Sequence, residues 1–400
     1  MSLNKLFIED LQLKSTPVIV RVDFNVPINN GKVDNDKRLR ASLPTIQHLI
    51  KQGARTVLMS HLGRPKGKVV DSLRMGPVAE RLSELLGQKV YYVTDCIGDE
   101  VSAAVQNLKD GEVLLLENLR FYPEEEKNDA DFAKKLASGI KVYVNDAFGT
   151  AHRAHASTEG IAAHVEQAAC GYLMKKELEF LGAAIANPTR PYVAITGGAK
   201  ISGKIDMIQN LLPKVDALLI GGGMTYTFLK AQGLEIGKSL LEAEKVDLAA
   251  SLLKQGGDKL VLPVDFRVSP EMDFDNRTVG ALTTVGADAI PADQMGLDIG
   301  PETIQKFCNI ILNAKTIVWN GPMGVFEIAA TAEGTHAVAR ALAEATAKGA
   351  TTIIGGGDSA SAVEKAGLAD KVSHVSTGGG ASLEFLEGRA LPGVLALTDK

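Results

Sequence analysis

The sequence predicts an α/β protein of two lobes, each a mainly parallel sheet flanked by helices, with a long helix joining them. Three observations lead there. Short continuous apolar runs rich in Val, Ile and Leu recur with helix-like segments between them, the pattern of parallel strands buried on both faces. The chain has 400 residues, 45% of them hydrophobic, and single cores tend to stop growing at roughly 250 to 300 residues, so two domains are expected. The residues at the carboxyl ends of the runs also differ between the halves. VIVRVDFN, TVLMSHLGR and LLLENLRF lead into Arg, His, Asp and Asn, whereas YVAITGGAK, ALLIGGGM, TIIGGGD and HVSTGGG lead into glycine. Open parallel sheets hold ligands at the carboxyl ends of their strands, so two differently built anion sites are expected. Side-chain cations would form one, and backbone amides in glycine turns the other.

In chain order, strands are expected near residues 18–22, 56–60, 113–116 and 142–145, and then near 192–195, 217–220, 259–263, 316–319, 351–354 and 374–376. Between them, PVAERLSELLG and THAVARALAEATAKG place apolar residues at helical spacing and end at glycine. No low-complexity segment or repeat of fixed period interrupts the alternation. The stretch GYLMKKELEFLGAAIANPTRP reads as one amphipathic helix over 171–187, stopped by Asn187 and Pro188. At about 1.5 Å per residue, about sixteen helical residues form a rod of roughly 24 Å. An ordinary surface helix would read the same way. Its position, where the chemistry of the strand ends changes, favours a hinged connector between a first domain over 1–170 and a second over 188–388.

Composition excludes several classes. A net charge of −5 and a pI near 5.9 give no basic excess for a nucleic-acid surface. MSLNKLFIED lacks the apolar core of a signal peptide, and no apolar run approaches the ~20 residues of a membrane span. Cys96, Cys170 and Cys308 are far apart, odd in number and free of CxxC spacing, which fits buried thiols in a reduced, cytoplasmic compartment.

The first half offers side-chain donors and acceptors. In RVDFNVP, Asp23 and Asn25 alternate along an extended strand end, where both could accept from ligand hydroxyls or, as an alternative, cap a turn. Farther along the chain stand Arg38 in NDKRLRASLP, His61 and Arg64 in SHLGRPKG, Arg120 in LENLRFYPEEE and Arg153 in TAHRAHAS. Arginine presents a planar fork suited to phosphate and carboxylate oxygens. A single Arg is more often a solvated surface residue, but several at equivalent strand ends suit a small ligand with more than one negative charge. His61, His152 and His155 have no carboxylate or Cys at a spacing that would complete a zinc shell.

The second half offers glycine turns. ITGGAKISGKIDMI reads as strand, turn and helix, with Lys200 and Lys204 in the first helical turns and on one face, where both could reach a polyphosphate. Neither GxxxxGK[ST] nor GxGxxG occurs, and tight strand-to-helix packing alone would also explain the glycines. In IIGGGDSASAVEKAG, Asp358 opens a helix, as an N-cap, as a ligand to Mg²⁺, or as both. VSTGGGASLEF places Gly378, Gly379 and Gly380 before another helix, where amides could approach a migrating, highly charged group. In VWNGPMGVFE, Trp319 reads as core, Glu327 as an acceptor from ribose hydroxyls, and Pro322, Met323 and Val325 as apolar surface for a base.

RVDFNVP, SHLGRP, LENLRF, AFGTAHRAH, GGAKISGKI, GGGM, VWNGPMGVFE, GGGDS and STGGGA occur in the order found in the phosphoglycerate kinase family, and the resemblance runs from about residue 18 to residue 388. It implies two Rossmann-like lobes and reversible phosphoryl transfer between 1,3-bisphosphoglycerate and ADP, giving 3-phosphoglycerate and ATP. Carried over by position, Asp23, Phe24, Asn25, Arg38, His61, Leu62, Gly63, Arg64, Arg120 and Arg153 fall on the phosphoglycerate site of the first lobe. Lys204, Glu327, Gly356, Gly357, Asp358 and Ser359 fall on the nucleotide site of the second, with Gly198, Gly222, Pro322 and Val325 as further lining. The resemblance implies that Arg38 and Lys200 stabilise charge during transfer, helped by amides near Gly378 and Gly379, and that Asp358 binds Mg²⁺. It also implies that residues 389–400 return to the first lobe. Ser359 stands where Thr is common in the family and keeps the hydroxyl.

The chemistry agrees with what the motifs lack. In the direction from ATP the acceptor is a carboxylate, ionised at neutral pH, so no general base is required, and no obvious base is found. The difficulty is bringing two anions together, which calls for cations and oriented amides. The expected protein is a cytoplasmic monomer acting on small molecules, with Mg²⁺ accompanying the nucleotide. A non-catalytic two-lobed anion-binding protein is the alternative. A nicotinamide dehydrogenase would explain the α/β alternation but should show GxGxxG followed by an acidic residue.

Overall fold

The computed structural model describes residues 4–400; residues 1–3, the start of the expected first domain, lie outside the described residues. Each group of predicted strands forms one sheet. The first has the order Val90–Tyr92, Val113–Leu115, Arg55–Met59, Pro17–Val22, Val142–Asp146, Gln167–Cys170. All its pairings are parallel, with Val20 opposite Leu58 on one side and Val144 on the other. The second has the order Leu260–Val261, Ala217–Ile220, Tyr192–Thr196, Thr316–Asn320, Thr351–Gly355, His374–Val375, again wholly parallel, with Val318 between Ala194 and Ile353. The central strands of both sheets are buried along their whole length, which is why their sequences read as continuous apolar runs.

Two strands of the first sheet escape the sequence pattern. Val90–Tyr92 is three residues long, and Gln167–Cys170 carries two alanines and a polar first residue, so neither offers a β-branched run. The second half also holds an antiparallel sheet that was not expected, of Thr283–Gly286, Asp265–Ser269 and Met295–Ile299. Its edge strand Thr283–Gly286 is half exposed and polar, so that strand lacks the signature of a buried one.

The chain divides into two compact units, one ending at Glu179 and taking in Ala390–Lys400, the other spanning Phe180–Arg389. The division falls inside the helix Tyr172–Ala186, which is 15 residues long, or about 22 Å at 1.5 Å per residue. Asn187 and Pro188 come directly after its end, as their side-chain and ring chemistry requires. Its start is held by Asp146 at the end of a sheet strand, whose Oδ1 accepts from the Leu173 amide at 2.9 Å and more weakly from Met174. The last segment joins the first unit by backbone and side-chain bonds: Thr398 N donates to Ala168 O, Asn145 Nδ2 donates to Gly393 O, and the buried Lys5 ammonium donates to Leu397 O at 2.8 Å.

Candidate active site

In the second sheet the first strand in sequence lies beside the fourth, and in the first sheet it lies beside the fifth. In open parallel sheets such switch points are where connections leave toward opposite faces and ligands bind beyond the carboxyl ends of the strands. The predicted site residues gather at these two places.

In the first unit, Asp23 stands just past the central strand and its Oδ2 accepts from Arg38 Nη1 at 2.6 Å. Its Oδ1 accepts weakly from the Asn25 amide at 3.3 Å, so Asp23 takes part in a turn and in a charge pair at once. Asn25 Oδ1 accepts from the Gly63 amide at 2.9 Å, and Phe24 N donates to Ser60 Oγ, which ties the RVDFNVP and SHLGRP segments together. Asn118, just before Arg120, clamps the Leu62 peptide by accepting from its amide and donating to its carbonyl. Arg120 is buried, with Nη1 donating to Gly63 O at 3.0 Å and Nε 3.3 Å from Glu126. Arg38, Arg64 and Arg153 are exposed.

His61 is the buried member, at 4% exposure. Burial pushes its pKa well below the ordinary imidazole value, and the charges of Arg21, Arg120, Arg38 and Arg153 push it further the same way. These four arginines therefore surround one neutral ring. Arg21 and Asn118 were not among the expected site residues. Arg21 had a signal, a charge inside an otherwise apolar strand; Asn118 had only its place beside Arg120 in LENLRF.

In the second unit, a cavity of about 350 Å³ is lined by Gly198, Gly222, Pro322, Val325, Glu327 and Asp358 from the expected set. The unexpected antiparallel sheet and its neighbouring loops add Lys238, Leu240, Phe274 and Met295, and the helix Thr225–Ala231 adds Tyr226. Leu240 and Phe274 are more than half exposed, at 59% and 52%. No motif in the sequence marked these residues, because long-range packing brings them to the glycine turns.

The glycines here act largely through close backbone approach. The Gly198 amide donates to Pro322 O and the Gly222 amide to Met323 O, so both are used within the protein. A Cβ on Gly197 would stand 2.0 Å from Pro322 O, and one on Gly222 would stand 2.5 Å from Gly198 N. For this turn, tight packing is the reason for glycine. The amides that open the helix Gly357–Lys365 have no helical acceptor, as at any helix start. Asp358 is its second residue and makes no capping bond, which leaves the carboxylate to the cavity. Ser359 is fully buried and accepts from the Gly321 amide at 2.6 Å. Its hydroxyl thus links two glycine turns. The Gly378 amide donates to Ser376 Oγ, while the Gly379 amide has no hydrogen-bond partner among the described residues.

The lysines depart from the expected helix. The helix begins at Ile205, Lys204 precedes it, and Lys200 lies exposed in the loop before. Ser202 explains the late start, since its amide and hydroxyl both bond to Glu242 and Gly203 comes next. Lys204 is largely buried and bonds to Asn320 Oδ1. Burial pulls its pKa down, against the opposing charges of Asp358 and Glu387. Asn320 Nδ2 is buried without a partner at the end of its strand, a donor left for a ligand. Trp319 is fully buried and donates to Gly321 O, as a core residue should.

Two parallel sheets, one with arginines gathered near a buried histidine at its strand ends and the other with glycine turns lining a cavity of about 350 Å³, define a two-lobed α/β protein. The family model for phosphoglycerate kinase matches residues 8–389. The phosphoglycerate kinase of Moorella thermoacetica is 59% identical over 99% of this chain and 100% of its own, and that of Chlorobium phaeobacteroides is 57% identical with the same coverage. Among solved structures, phosphoglycerate kinase from Coxiella burnetii superposes with a TM-score of 0.91 at 43% identity, covering 99% of this chain and 100% of that one. The Pyrococcus horikoshii enzyme gives 0.82 at 35% identity, covering 98% of each. The chain belongs to the phosphoglycerate kinase family.

Proposed function

We infer that the protein is a phosphotransferase with a carboxyl group as acceptor, moving a phosphoryl group reversibly between 1,3-bisphosphoglycerate and ADP to give 3-phosphoglycerate and ATP, a step of glycolysis and gluconeogenesis. The observation that carries this is the family match over residues 8–389, within which the motifs stand at the ends of the strands of both sheets. The acid is assigned to the first unit, where Arg38, Arg64, Arg120 and Arg153 supply guanidinium forks and His61 a neutral ring. Asp23 and Asn25 serve the hydroxyl while holding Arg38 and the Gly63 loop in place.

The nucleotide is assigned to the second unit. The apolar part of the cavity suits the base, Glu327 the ribose, and Lys204 with Asn320 the phosphates. Asp358 is the residue that would hold Mg²⁺. Among the described residues no cluster of three His, Cys, Asp or Glu side chains could hold a metal by itself, whereas Asp358 lines the cavity as a single carboxylate. One carboxylate completed by phosphate oxygens and water is the set Mg²⁺ accepts. When bound, the ion would neutralise adjacent phosphate charge.

The acceptor carboxylate needs no base, so the chain's task is to offset charge. Arg38, Lys200 and the Gly379 amide are assigned that role, and Gly378 shapes the turn through its bond to Ser376. In-line transfer needs reacting atoms ~3 to 3.5 Å apart, which assigns the helix Tyr172–Ala186 and its ends the part of a hinge. The free thiols of Cys96, Cys170 and Cys308 support a reduced, cytoplasmic setting, and the protein is assigned as a monomer. No helix among the described residues is long and apolar enough to cross a membrane. A coupled assay with 1,3-bisphosphoglycerate and Mg-ADP tests the reading: ATP should form, and binding of both ligands without ATP would leave a non-catalytic anion-binding protein.

A further inference from the structure

Arg21 lies in the central strand Pro17–Val22, among apolar residues, and is 1% exposed. A buried guanidinium is costly unless its charge and donors are met. Here they are met in two directions. On one side Nε donates to Ser157 Oγ at 2.8 Å. Having accepted that bond, the Ser157 hydroxyl turns its own proton to Glu125 Oε1, and the Ser157 amide donates to Glu125 Oε2 at 3.0 Å. Glu125 is fully buried, so a carboxylate balances the guanidinium through an intervening serine. On the other side Nη2 lies 3.0 Å from His61 Nδ1, and Nη1 donates to the Val22 carbonyl.

A guanidinium has donors and no acceptor, so His61 Nδ1 must accept. The ring is neutral, because burial and four arginines oppose its protonation. Its single proton is then on Nε2, which has no hydrogen-bond partner among the described residues. We propose that Arg21 is a positioning residue: backed by Ser157 and Glu125, it fixes His61 in the Nε2–H form, and that N–H is presented to an anionic oxygen of the three-carbon acid. The last clause rests on the function inferred above; the tautomer does not. A neutral donor among arginines adds a directed hydrogen bond without adding another like charge.

The test separates the two parts. Arg21→Met combined with Glu125→Gln removes the guanidinium without stranding its counter-charge. Nitrogen-15 NMR of the imidazole, recorded at pH 7 without substrate, should show the proton of His61 on Nε2 in the parent protein and a shift toward the Nδ1–H form in the double variant. Arg21→Lys keeps a donor and should restore the Nε2–H form in part. In turnover assays the double variant should raise KM for 3-phosphoglycerate about tenfold, the scale of one hydrogen bond to a charged group, with KM for the nucleotide unchanged. A parent ring protonated on Nδ1 overturns the proposal. So does a double variant that retains the parent's near-ultraviolet circular dichroism, tautomer and KM. If no ATP is formed by the parent protein, the inferred function fails while the tautomer measurement still decides the role of Arg21.

Discussion

At the scale of the residue, the first crevice is organised by who holds whom. Arg38 is half exposed and pinned by Asp23, whereas Arg21 is buried and spends its donors inside the protein. The two should respond differently to truncation. Arg38→Ala is expected to lower kcat by roughly a hundredfold or more, the ~3 to 4 kcal/mol typical of a lost transition-state donor, while changing nucleotide affinity little. Steady-state kinetics and nucleotide titration check this, and an unchanged kcat would remove Arg38 from the chemistry. Stability should scarcely move, since an exposed ion pair contributes little. Motif order made Arg38, His61 and Arg120 legible. It could not show that the amides of Gly198 and Gly222, expected to line the nucleotide site, already donate to Pro322 and Met323, because an amide's partner is set by a segment more than a hundred residues away.

At the scale of the element, the helix Tyr172–Ala186 depends on Asp146. Gly171 stands against that carboxylate so closely that a Cβ would be 2.2 Å from Oδ1. Gly171→Ala should therefore cost about 1–3 kcal/mol, the range for overpacking a tight core, measured as a lower denaturant midpoint at unchanged slope. Full burial raises the Asp146 pKa to about 7, against the lowering effect of its bonds to Thr45, Leu173 and Met174. The folded state thus holds a proton that the unfolded chain, with a pKa of ~3.9, has released. The contribution is present below about pH 4 and is lost as pH rises toward 7. Asp146→Asn keeps an acceptor and removes the titration, so its stability should fall less than the parent's between pH 5 and pH 8. Equal losses in urea titrations at the two pH values would refute this. The sequence showed the helix and its stop, yet its start is a tertiary event, made by a carboxylate at the end of a neighbouring strand.

At the scale of the whole molecule, two ligands assigned to different units must meet for transfer to occur. The radius of gyration from small-angle scattering is expected to fall when 3-phosphoglycerate and Mg-nucleotide are both present, and to fall less with either alone. An identical radius in all four states would count against a hinge.

What the sequence determined by itself was the pair of parallel sheets, their buried strands and the contrast between arginine and glycine strand ends. Those signals are local: apolar runs, turn residues and short motifs lie within a few positions of one another. Tertiary structure alone decided the rest. It chose which glycine amides stay available, delayed the helix after Lys204 by pairing Ser202 with Glu242, and brought Leu240 and Phe274 to the cavity. It also set Arg21 between Glu125 and His61. Each of these outcomes depends on a partner distant in sequence, and no spacing rule carries such information because hydrogen bonds and burial are settled only when the strands are side by side.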